Sequence, residues 1–134
     1  MRRALRLTPA AYALFLGLNA AAADTPKDAP AKDVPKSLAS AFGNTVKATY
    51  PDGRFQRYWF QPDGSWRAIG RRGHSSSGHW TAHGDEVCLK QSKPIPSPMK
   101  YCTTFPASAR VGSSWPAKDM GGGAITLSVV KGKV

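Results

Sequence analysis

YPDGRFQRYWFQPDGSWRAI, residues 50–69, contains the unit Pro-Asp-Gly twice, as Pro51-Asp52-Gly53 and Pro62-Asp63-Gly64. Proline pre-sets the first turn position, aspartate tolerates the second, and glycine accepts the positive φ needed to re-enter a strand. The two units lie 11 residues apart, and each is followed two residues after its glycine by an aromatic, Phe55 or Trp66. That spacing predicts successive antiparallel hairpins.

Working outward, residues 45–50 (TVKATY) are rich in β-branched side chains and partly alternate, as a half-buried strand does. Further strands are expected at residues 55–60, 65–69, around 79–83, at 86–91 and at 100–105, where Pro106 should end the ladder. Residues 124–130 (AITLSVV) form a final one. Residues 70–78 (GRRGHSSSG) read as a glycine-bounded loop, 94–98 as a proline-spaced loop, and 106–123 have no assigned structure. A short helix is expected over residues 37–42, with Ser37 as its cap. The fold class is all-β: a small antiparallel meander of about seven strands, forming a barrel or a sandwich.

The chain has 134 residues, enough for one small domain and too few for a large multidomain enzyme. Residues 1–23 read as a secretory signal peptide, with Arg2, Arg3 and Arg6, an apolar stretch at 10–18, and alanines at 20–23. With only nine apolar residues in that stretch, a membrane-spanning helix is not expected. Residues 24–36 (DTPKDAPAKDVPK) hold too little apolar surface to offset chain entropy and read as a disordered spacer. The protein is therefore expected in the periplasm or secreted, as a β-domain spanning residues 37–134. In such a compartment Cys88 and Cys102, the only cysteines, should form a structural disulfide.

From residue 37 onward there are 13 Lys and Arg against 5 Asp and Glu, a net charge of +8. Residues 55–60 place Phe55, Arg57 and Trp59 on one face and Gln56, Tyr58 and Phe60 on the other, so both faces are aromatic. One face must line the core. The other is either covered, giving two-sided burial, or exposed as an aromatic–basic strip continued by Trp66 or Arg67. Arg71 and Arg72 sit at a loop tip where both guanidinium groups can converge on one anion.

No paired-carboxylate motif, nucleophile elbow or metal-ligand spacing is present. On a strand His79 and His83 are too far apart to share a zinc, so no metal or cofactor is expected. The expectation is a non-enzymatic domain binding an anionic envelope polymer, lipid head group or protein through Arg57, Trp59, Trp66, Arg67, Arg71 and Arg72. Export argues against nucleic acid as the partner. The alternatives are an inhibitor or chaperone-like partner of an envelope enzyme, and a hydrolase using His74, His83 and the serines at 75–77.

Asn44-Thr45-Val46, Tyr50-x-Asp52-Gly53, Asp63-Gly64, Gly78-x-Trp80, Gly84-Asp85-x-x-Cys88 and Cys102 resemble small exported proteins of Gram-negative bacteria. The likeness spans about residues 38–105. It implies a compact β-domain with a disulfide and brings no activity with it. Periplasmic lysozyme-inhibitor barrels share the size, export and disulfide, but their Ser-Ala-Ser-Gly-type loop has no counterpart here.

Overall fold

The computed structural model describes Val34 and residues 36–134. The expected signal peptide, and all of the expected spacer except Val34 and Lys36, lie outside the described residues. Among the described residues one short helix, α1 (Lys36–Ala39), precedes eight strands. These are β1 (Thr45–Thr49), β2 (Phe55–Phe60), β3 (Ser65–Ile69), β4 (Ser75–His83), β5 (Glu86–Lys93), β6 (Lys100–Thr104), β7 (Ser114–Lys118) and β8 (Ala124–Val130). Every ladder is antiparallel, and the order β6-β5-β4-β3-β2-β1-β8-β7 brings the last strand back beside the first. The sheet curls into a nearly closed barrel whose seam lies between β6 and β7. Two side chains cross it: Tyr101 Oη donates to the Lys118 carbonyl, and Trp115 Nε1 to that of Thr104.

The two Pro-Asp-Gly units make the β1–β2 and β2–β3 turns, with Gly53 at φ 84° and Gly64 at φ 91°. Asp52 and Asp63 each accept the backbone N–H two residues on, from Arg54 and Ser65. Alternation sends Val46, Ala48, Phe60, Trp66, Ala68, Trp80, Val87, Leu89, Trp115, Ile125, Leu127 and Val129 inward. At the end where β1 begins, the ring of Phe105 meets Phe60 and Trp115 edge-on, with centroids 5.9 and 5.2 Å apart. The segment leading into β1 belongs to the same core. Leu38 and Ala41 are fully buried, and the Phe42 ring lies 6.0 Å from that of Trp80.

Three local expectations are corrected. Residues 75–77 are not loop but the start of β4, because Ser75, Ser76 and Ser77 pair with Ile69, Ala68 and Arg67 of β3. Ladder partners override the weak strand preference of serine. Within residues 106–123 an eighth strand, β7, contains Pro116; it tolerates the missing N–H because β7 is an edge strand paired only with β8. The helix starts at Lys36 and ends at Ala39, with turns continuing to residue 43. Cys88 and Cys102 stand opposite one another on β5 and β6 and form the disulfide. No helix among the described residues is long and apolar enough to cross a membrane.

Candidate functional site: a basic outer face

Strand period fixes which side chains leave the barrel. On β1, Val46 and Ala48 point in, so Lys47 points out, directly opposite the outward Arg57 of β2. One register step along, Trp59 faces Arg67, Arg67 faces Ser77, and Ser77 faces Lys93 across a bulge. A third row runs Ser65, His79, Lys90, Lys100. The outer face of β1–β6 therefore carries Lys47, Arg57, Arg67, Lys90, Lys93 and Lys100. Its single strand carboxylate is Glu86, which faces His83 at the far corner.

Lys47 with Arg57, and Lys90 with Lys100, are like charges directly opposite, an arrangement that destabilises a ladder. Among the described residues the one ion pair is Arg54–Asp52, at 2.7 Å in the β1–β2 turn. Rings supply partial compensation: Lys47 Nζ lies 4.1 Å from the Phe55 centroid, and the Arg57 guanidinium 5.7 Å from that of Trp59. Nearby acids are held by local hydrogen bonds. The Arg54 backbone N–H, and then its side chain, hold the Asp52 carboxyl below the usual range; the Ser65 hydroxyl, and then its backbone N–H, do the same for Asp63.

Trp59, Arg67, Ser75, Ser77, Lys93 and Lys133 line one open groove on this face. The C-terminal residues bring Lys133 there. Thr45 Oγ1 donates to the Gly132 carbonyl and accepts from Val134 N and Trp59 Nε1 at 3.1 and 3.0 Å. This contact leaves Trp59 half-buried rather than open.

Arg57, Trp59 and Arg67 thus share the outer face expected of them. Trp66 does not join them: it faces inward, is 4% exposed, and donates Nε1 to the His79 carbonyl. Its register partner Phe60 points into the core, so alternation takes Trp66 there too. Arg71 stacks on the Tyr50 ring at the rim of the barrel, its guanidinium carbon 3.7 Å from the centroid, while Arg72 is exposed on the same turn. The two arginines are therefore not set as a pair with the β2–β3 strip. Sequence reading missed Lys47, Lys90, Lys93, Lys100 and Lys133. Alternation against Val46, Ala48, Val87 and Leu89 marks the first two, but their alignment with Arg57 and Lys100 depends on register.

His79 and His83 lie on the outside of β4, and Ser75 and Ser77 are ladder partners of β3. Glu86 approaches the two cysteine sulfurs closely, but both sulfurs are bonded to each other and hold no lone thiolate for a metal. Comparison of the chain with protein-family models, with curated proteins and with solved structures finds no match.

Proposed function

We propose that this is a non-catalytic binding domain, exported to the periplasm or the medium, whose outer basic face holds an anionic polymer or head group of the cell envelope. The observation that carries the reading is the pairing of like charges, Lys47 with Arg57 and Lys90 with Lys100, on a surface with one strand carboxylate. An unliganded sheet gains nothing from such pairs. A phosphate- or carboxylate-bearing polymer lying across β1–β3 relieves the Lys47–Arg57 repulsion, and the half-buried Trp59 ring offers a flat contact beside Arg57 and Arg67. Export is supported by the character of residues 1–23 and by the disulfide.

Lipopolysaccharide is the probe. Co-sedimentation should be saturable at low salt and lost as added salt shortens the screening length from ~10 Å at ~0.1 M to ~3 Å at ~1 M. Arg57→Glu combined with Arg67→Glu should abolish it. Retention of the protein in high salt, or by the double variant, overturns the reading.

A further inference from the structure

The end of the barrel opposite α1 is open. Four turns surround it, at residues 50–54, 70–74, 94–99 and 119–123, and a cavity of about 400 Å³ enters between them. That is within the range of small-molecule sites. Ala48, Trp66, Leu89, Ile125 and Leu127 form its apolar floor. Met99 and Met120, 65% and 63% exposed, make an adaptable apolar lip.

One wall is a directional chain of hydrogen bonds. Tyr58 Oη donates to Gln56 Oε1 at 2.6 Å, and Gln56 Nε2 donates to Tyr50 Oη at 3.0 Å. Tyr50 therefore accepts inside the chain and keeps its own hydrogen for another acceptor. Burial raises the Tyr58 phenol well above its ordinary value, and burial also raises Tyr50 against the opposing effect of Arg71. Both stay hydroxyl donors at neutral pH. Over the Tyr50 ring lies Arg71, which makes no close ion pair among the described residues, although its charge also reaches Asp52 in the neighbouring turn. Asp119 also lines the opening and its charge raises the Tyr50 phenol further; its Oδ1 accepts from the backbone N–H groups of Gly121 and Gly123 at 2.9 and 2.7 Å, which partly offset that charge.

The geometry points to a second binding site, for a small molecule with an apolar body and a terminal carboxylate. Its body lies on the Trp66–Leu89–Leu127 floor and its carboxylate between Arg71 and the Tyr50 hydroxyl. A planar guanidinium suits a carboxylate, and a free phenol proton adds a donor that a cationic or purely apolar guest cannot use. The aromatic core closes the far end, so a polymer cannot thread the cavity. This site is separate from the outer face and does not depend on it.

The test titrates decanoate, decanol and decylamine by calorimetry, with tryptophan fluorescence as a second readout. Decanoate should bind once per barrel, tighter than decanol, with decylamine weakest. Arg71→Gln should weaken decanoate about tenfold, the value of one charge-assisted hydrogen bond, and leave decanol unchanged. Tyr50→Phe, which keeps the ring under Arg71, should act in the same direction, and Arg67→Gln on the outer face should have no effect. Absence of saturable decanoate binding, equal affinity for acid and alcohol, or sensitivity to Arg67 in place of Arg71 overturns the assignment. None of these outcomes bears on lipopolysaccharide capture by Arg57 and Arg67.

Discussion

Lys47 stands directly across the β1–β2 ladder from Arg57, both pointing out of the barrel. Residues so placed have Cβ atoms roughly 4.5–5.5 Å apart, close enough for two cations to repel. Phe55 and Trp59 draw them aside, Lys47 toward one ring and Arg57 toward the other. The face thus carries an electrostatic cost that its own residues only partly offset, and an anion bound there would remove it.

The same reasoning makes a stability prediction that runs opposite to binding. Lys100→Gln removes the repulsion with Lys90 at an exposed site, so the unliganded domain should become more stable by about 0.2–1 kcal/mol. Lipopolysaccharide capture by that variant should weaken far less than in the Arg57→Glu, Arg67→Glu double variant, because Lys90 and Lys100 lie four strands from Lys47 and Arg57. Urea unfolding and co-sedimentation measured side by side check the pair, and loss of stability would contradict the reading of Lys90 and Lys100.

Gly78 packs closely against β5, at the bulge of the β4–β5 ladder between Ser77 and Gly78. A Cβ there would sit 1.9 Å from the Lys90 carbonyl oxygen and 2.9 Å from Gln91 Cα. Backbone cannot yield as a flexible side chain does. Gly78→Ala should therefore cost about 3 kcal/mol or more, read as a fall in the urea midpoint. A change within ~0.5 kcal/mol, as for an ordinary surface site, would contradict this geometry.

The Cys88–Cys102 bridge closes 13 intervening residues between adjacent strands. Replacing both cysteines by serine should lower stability by roughly 3 kcal/mol on the chain-entropy estimate. Added reductant should lower the wild-type protein toward the variant and leave the variant unchanged.

Alkaline pH should unfold the domain through its tyrosines. Tyr58, Tyr50 and Tyr101 all have phenols raised by burial. A raised folded value means that the unfolded chain releases the proton first. The stabilisation is fully present below the ordinary value of about 10 and is lost as pH rises above it. Tyrosinate absorbance should therefore appear together with loss of structure, and Tyr58→Phe should move that transition to higher pH. Smooth ionisation of all tyrosines in a still-folded protein would contradict it.

Much of the fold was legible because its signals are local. Each Pro-Asp-Gly unit fixes a turn within four residues, and the strands at 55–60, 65–69 and 124–130 fall where turn and alternation place them. Ser75–Ser77 and the strand around Pro116 were not legible, since only the neighbouring strands β3 and β8 make them strands. The site divides the same way. Arg57, Trp59 and Arg67 follow from alternation within residues 55–69, whereas the alignment of Lys47 with Arg57 and of Lys90 with Lys100 exists only once strands are paired. Trp66 shows the reverse failure: an aromatic beside arginine in sequence faces the interior because its register partner is Phe60.

The most direct measurement is lipopolysaccharide co-sedimentation of the wild-type domain and the Arg57→Glu, Arg67→Glu double variant across a salt series. Saturable capture by the wild type that disappears with salt, and none by the double variant, is the expected result. Equal capture of the two proteins, or capture indifferent to salt, would contradict a function built on the outward cations of β1–β3.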